Sequence, residues 1–99
     1  MAKKIIWSSD SENDFSNILD YLERNWDNAV ALRFIDLVDL LLQQISINPI
    51  QYPLINKNLR IRKCVITKHN SIYYRNRRHH IEILRIFDTR QNPNKLNFS

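Results

Sequence analysis

The sequence predicts an α+β domain of two layers, a helical hairpin packed on an antiparallel sheet in the order β-α-α-β-β-β. Three observations carry that expectation. Apolar residues recur at helical spacing from Phe15 to Ile45, and from Leu59 onward the period changes to two. The chain has 99 residues, 43% of them apolar, which suits one hydrophobic core, so residues 1–99 are read as a single domain.

Lys3 to Trp7 can form a first strand with Ile5 and Trp7 on one face. Ser9 and Glu12 then have capping-box spacing, in which the hydroxyl accepts a free N–H of the first turn and the carboxylate reaches back. In the helix that follows, Phe15, Ile18, Leu19, Leu22 and Trp26 share one apolar face. Asp10, Glu12 and Asp14 sit where the helix dipole favours negative charge. The Asn25 to Asn28 stretch interrupts this helix, and Asp27 or Asn28 can cap the next. That second helix, Ala29 to Ile47, carries Ala31, Phe34, Ile35, Val38, Leu41, Leu42 and Ile45 on one side, with Leu37 and Leu40 beyond them. A stripe so wide either packs against both the first helix and the sheet, the commoner arrangement, or leaves part of itself for a partner. Pro49 and Pro53 end the helix.

Leu59 and Ile61 alternate with Arg60 and Arg62, whereas Cys64 and Ile66 fall on the opposite phase. A bulge is therefore expected near Arg62 and Lys63, re-aiming both side chains. Ile72 to Arg75 and Ile81 to Phe87 form two more strands joined across Asn76 to His80. The near-continuous run IEILRIF predicts a central, well-covered strand. Glycine is absent, which excludes a GxGxxG dinucleotide loop, a Walker loop and a G-x-S-x-G nucleophile elbow. Turns are expected to rely on Asn56, Asn58, Asn70 and Asn76, because asparagine tolerates positive φ better than other residues with a Cβ.

Charge is segregated. Met1 to Asn56 holds four bases against eight carboxylates, a net −4, and Lys57 to Ser99 holds eleven bases against Glu82 and Asp88, a net +9. Such polarity is expected of a surface that meets an anionic partner, whether nucleic acid, an acidic protein face or anionic lipid; a solvated face with no partner is the plainer alternative. No apolar run approaches the roughly twenty residues that cross a bilayer, and MAKKIIWSSDSE has no signal-peptide core, so no membrane association and a cytoplasmic location are expected. Cys64 is alone, which precludes an internal disulfide and suits a small core residue. His69, His79, His80 and Cys64 lack paired metal-ligand spacing, so neither metal nor cofactor is expected. Glu82 and Asp88 lie in basic surroundings and are expected to be ion-pair partners, Asp88 orienting Arg90 or Arg85.

The element order, the stretch LRIRKCVITKHNSIYYR and the closing IEILRIFDTRQNP resemble the RelE/ParE family of bacterial toxins, which includes plasmid stabilization proteins. The resemblance covers nearly the whole chain. It implies the toxin of a type II toxin-antitoxin system, held inactive by an acidic antitoxin that wraps its helices and sheet; Leu37, Leu40 and Leu41 are the positions expected to meet it.

The family divides by target. RelE-like members cut mRNA on the ribosome, with basic side chains stabilising the transferring phosphoryl group and another group moving the 2′-hydroxyl proton. Arg62, Lys63 and Arg90 match basic positions of that set. Ser71 and Ile72 stand where those members open a strand with Arg, and Lys95 to Ser99 lacks their Tyr or His, leaving His69, His79 or Tyr74 as substitutes. ParE-like members inhibit DNA gyrase by binding and need no general base; Arg75, Arg77, Arg78, Arg85 and Arg90 would be contacts. The gaps in the nuclease set favour the ParE-like branch. The RelE-like endonuclease is the alternative, and a non-toxic nucleic-acid-binding module is the reading from another class.

Overall fold

The computed structural model describes residues 2–90 together with Leu96 and Phe98. Its elements are β1 (Lys4–Trp7), α1 (Ser9–Asn25), α2 (Asn28–Ile47), β2 (Leu54–Asn56), β3 (Ile61–Val65), β4 (Asn70–Asn76) and β5 (His80–Asp88). They form an α+β fold in which both helices pack on a five-stranded sheet of order β1-β5-β4-β3-β2. The sheet is mixed, not wholly antiparallel: β1 runs parallel to β5, and a short strand, β2, is added at the far edge.

Helix α1 begins one residue earlier than the capping-box spacing indicates. Ser8 is the N-cap, its hydroxyl accepting from Ser11 N at 3.0 Å, because Ser8 also closes β1 by donating its N–H to Ile83 O at 2.9 Å. Strand end and helix start are thus the same residue. Asp27 caps α2 by accepting from Val30 N at 3.0 Å. Ile18 is buried, and Phe15 links Trp7 and Phe34 through ring contacts of 5.3 and 6.1 Å. Trp26 departs from the expected apolar face and is 68% exposed, because at the C-cap the backbone has already left helical geometry.

Apolar residues occupy both faces of the sheet. On the helix side Val38, Leu42 and Ile45 meet Ile72, Ile81 and Ile83; on the other side Ile61, Tyr73, Leu84 and Phe87 pack with Leu96 and Phe98. β3 pairs regularly with β4 from Arg62 to Val65, so Arg62 and Lys63 are not re-aimed; the irregularity near Arg62 lies in its other neighbour, β2, where Leu54 pairs with Arg62 and Asn56 with Ile61. The change of phase has a simpler origin: Leu59 lies in the turn before β3, and Ile61 faces the second cluster. A second slip is in β5, where Tyr73 pairs with Arg85 and Tyr74 with Ile83, leaving Leu84 unpaired. That slip explains the run IEILRIF. Ile81, Ile83 and Ile86 face the helices, while Leu84 and Phe87 face away.

Strand β1 ends at Trp7, so β5 would show an open edge beyond Ile83. Residues at the start of α1 close it. The Ser8 hydroxyl donates to Leu84 O at 2.8 Å, and Asp14 Oδ2 accepts from Ile86 N at 3.1 Å, satisfying backbone groups that no strand reaches.

None of the four turn asparagines takes a positive φ. Asn70 and Asn76 lie within β4, and Asn56 holds the turn after β2 by accepting from Leu59 N at 2.9 Å. Among the described residues it is Arg60 that adopts the left-handed region, with φ 57°. Within the described residues no helix is long and apolar enough to cross a membrane.

Candidate functional site

The basic residues of the C-terminal half divide into three groups, set by the alternation of the strands and the slip in β5. Adjacent residues of a regular strand face opposite ways. Arg62 therefore lies on the helix side beside Tyr74, its Nη1 donating to Ile50 O at 3.2 Å and Tyr52 O at 2.6 Å. Lys63 lies on the opposite face, with its ammonium 5.9 Å from the Tyr73 ring centre. The two do not converge.

The second group is latched to α1. Arg85 forms a fork with Asp14, Nε to Oδ2 at 2.7 Å and Nη2 to Oδ1 at 2.9 Å, and both side chains are only 11% exposed. Hydrogen bonds to Asp14 raise the guanidinium's affinity for its proton despite the opposing effect of burial. Asp14 was legible in the sequence only as a dipole-favouring residue; its main role is to seat Arg85 and the β5 backbone. Arg90 bonds Asp88 through Nε at 2.9 Å and Nη2 at 2.6 Å, and its guanidinium stacks 4.8 Å from the Tyr21 ring centre. Asp88 thus orients Arg90, one of the two arginines expected of it.

Burial acts first to raise the Asp88 carboxyl, but hydrogen bonds from Arg90, with its charge and that of His69, outweigh burial and hold the group below its ordinary 3.8. A carboxyl depressed on folding contributes stability that is present above its unfolded value and lost as pH falls through the lower folded value. Asp88→Asn should therefore be less stable than the parent near neutral pH. That difference should close below the ordinary carboxylate range in urea titrations repeated across pH; a gap persisting at the acid end would show that the ion pair is not its source.

The third group lies at the β4–β5 hairpin. Arg75 Nη1 and Arg77 Nε approach Glu82 Oε1 at 3.7 and 3.2 Å, and Arg78 is exposed at the hairpin tip. Lys3 Nζ donates to Asn76 Oδ1 and Arg77 O, each at 2.6 Å, pinning the hairpin to the N-terminal end of the chain. Glu82 and Asp88 are both ion-pair partners, as their surroundings suggest. They are six positions apart along β5, so the hairpin and Asp88–Arg90 groups stand roughly 20 Å apart.

The side chains weighed as proton-transfer substitutes are dispersed as well. Tyr74 is fully buried, donates to Pro49 O at 2.7 Å, and is pushed well above an ordinary phenol by burial, only partly offset by Arg62. His69 lies in the turn before β4, whereas His79 is at the opposite end of the sheet, in the β4–β5 hairpin. Cys64 is buried, and burial raises its thiol. Among the described residues no three His, Cys, Asp or Glu side chains gather as a metal site would require. Gln91, Asn92 and Pro93 of the closing motif, and Lys95, lie outside the described residues.

On α2 the wide stripe serves mainly the core. Leu37 and Leu41 pack partly against it, while Leu40 is 51% exposed. Lys57 and Arg60, which the alternating pattern placed in or before a strand, sit on the β2–β3 turn, Arg60 facing the hairpin arginines and Lys57 lying beside Arg62 and Asn76. The N-K-N sequence just before them was the available signal.

The family model described as ParE toxin of type II toxin-antitoxin system, parDE, matches residues 5–93. Among solved structures, a chain of the chromosomal ParDE TA system from P. aeruginosa superposes with a TM-score of 0.74 at 17% identity, over 88% of this chain and 96% of that one. A YoeB/ParE toxin from Agrobacterium tumefaciens superposes with a TM-score of 0.63 at 14% identity, over 86% of this chain and 96% of that one. No curated protein matches the sequence.

Proposed function

Since this chain belongs to the ParE toxin family of type II toxin-antitoxin systems, we propose that it arrests growth by binding DNA gyrase and that an acidic antitoxin relieves the block. The observation that carries this reading is the dispersal of the nuclease-type set. Arg62 is held by backbone carbonyls on one face of the sheet, Lys63 lies on the other, and Arg90 is latched to Asp88. Phosphoryl transfer needs its cations and proton-transfer group around one reacting phosphate. Contact needs only accessible forks, and Arg77 and Arg78 supply them at the hairpin, with Arg75 partly buried behind them. Arg85 and Arg90 then act mainly by fixing β5 and its end to α1, and the target meets them only at their exposed margins. The antitoxin's apolar segment lies along α2 at Leu40, with Leu37 and Leu41 beneath it. The toxin acts in the cytoplasm.

Two assays test this. The purified chain is expected to block supercoiling by DNA gyrase and to leave mRNA on translating ribosomes intact, with Arg77→Ala plus Arg78→Ala weakening the block by about tenfold or more if each fork contributes a charge-assisted bond. Unchanged supercoiling, together with ribosomal A-site cleavage abolished by Arg90→Ala, would establish the RelE-like endonuclease instead. Harmless overexpression without an antitoxin would remove the toxin reading for this copy.

A further inference from the structure

We propose that the hairpin end of the sheet is a cleft for the phosphodiester backbone of a nucleic acid, lined by Lys57, Arg60, Arg62, Arg75, Arg77 and Arg78. Two adjoining hollows form it. One, about 410 Å³, lies between residues 58–60 and residues 75–78. The other, about 290 Å³, runs from Lys57 to Arg62 along the β2–β3 turn. Arg60 and Asn76 border both, so the hollows adjoin around the end of the sheet between the β2–β3 turn and the β4–β5 hairpin, Arg62 reaching one from the helix side and Arg75 the other from the opposite face.

The groove concentrates unbalanced positive charge. No carboxylate lines either hollow, and Glu82, beside it, is already shared by Arg75 and Arg77. Among the described residues Lys57, Arg60 and Arg78 have no carboxylate partner, and the buried Nε of Arg75 has no acceptor. Arg85 and Arg90 differ in this respect, since each forks onto an aspartate. Arg60 is moreover held at φ 57°, a conformation unfavourable for a residue with a Cβ, at the point where the two hollows meet. Cations crowded in this way repel one another until an anion arrives.

Guanidinium forks suit carboxylate and phosphate alike, so the rest of the lining decides between them. Apart from Leu54 and Leu59, every lining residue is charged or asparagine. A protein partner draws most of its affinity from apolar and aromatic anchors seated in pockets, and this groove provides little for them. Tracking a phosphate backbone needs only cations and polar donors, which Asn58 and Asn76 add. No aromatic side chain lines the groove to stack an unpaired base. Duplexes are therefore expected to bind at least as well as single strands, without sequence preference.

The test is fluorescence anisotropy of the purified chain with labelled duplex DNA, duplex RNA and single-stranded DNA across a salt series. The logarithm of the duplex association constant should fall linearly with the logarithm of salt, with a slope of about −3 if three or four phosphates are neutralised. Arg60→Ala with Arg78→Ala should weaken binding about tenfold or more and flatten the slope by about 2. Lys57→Ala with Arg78→Ala should act similarly without touching the positive-φ residue. Arg33→Ala, exposed on α2, should change nothing. Binding by either duplex supports the cleft, and the tighter one names its source. Wild-type affinity in both double variants overturns the proposal, as does binding indifferent to salt. Displacement of DNA by polyglutamate well below the phosphate concentration overturns it in favour of an acidic protein partner. Gyrase is not present in these measurements, so variants that lose no nucleic-acid binding yet lose supercoiling inhibition reject the cleft alone and leave the gyrase reading standing.

Discussion

Asp14→Ala is expected to lower the unfolding free energy by ~3–5 kcal/mol, the range for removing one partner of a buried ion pair. The loss is large because the carboxylate has two duties. It pairs with Arg85, whose side chain is 11% exposed, and it accepts from Ile86 N on the side of β5 that β1 no longer reaches. Removing it takes the carboxylate away from the Arg85 guanidinium and leaves the Ile86 N–H without its acceptor. Urea unfolding of the variant gives the value directly, and a loss under about 1 kcal/mol would mean the pair does not hold α1 to β5. Asp14→Leu with Arg85→Met should cost less than either single change, since the carboxylate and the guanidinium are removed together. The same pair bears on function. Loss of toxicity in Arg85→Ala is expected to follow loss of folded protein, so it must be normalised to the folded fraction before Arg85 is counted as a contact.

Ile83→Ala is expected to cost ~2–5 kcal/mol, through lost burial and the cavity left behind. Ile83 is fully buried and stands in register with Trp7 on one side and Tyr74 on the other, so it ties the parallel and antiparallel parts of the sheet together. Neighbours fixed by two strand ladders have little freedom to close the void. Ile50→Ala, at a side chain that is 64% exposed, serves as the control and should stay within about 0.5 kcal/mol of the parent. Similar losses at the two positions would contradict this account of the core.

Local patterns carried much of the fold. The change of apolar period separates the helical hairpin from the strands that follow, and Asp27 caps α2 because capping is decided within three residues. The cap of α1 was misplaced by one residue for a tertiary reason: Ser8 also completes the β1–β5 ladder. The opposite phase of Ile61 and Cys64 reflects apolar packing on both faces of the sheet and not a kink in β3, which periodicity alone could not distinguish. A register slip is defined by two strands together; one lies between β2 and β3 and another between β4 and β5. The β4–β5 slip places apolar residues on both faces of β5, while the end of β1 at Trp7 makes the edge that Ser8 and Asp14 close.

The sequence by itself determined that this chain forms an α+β domain with acidic helices and a basic second half, because periodicity, capping and net charge are properties of neighbouring residues. The tertiary structure decided which basic residues are available for binding. Arg85 and Asp14 are 71 positions apart, and whether they meet depends on the length of β1, the placement of α1 and the slip in β5. Arg60 faces the hairpin arginines only because β2 and β3 turn back on each other beside β4. Ion pairs and clefts depend on distances across the fold, and those arise only when non-local contacts close.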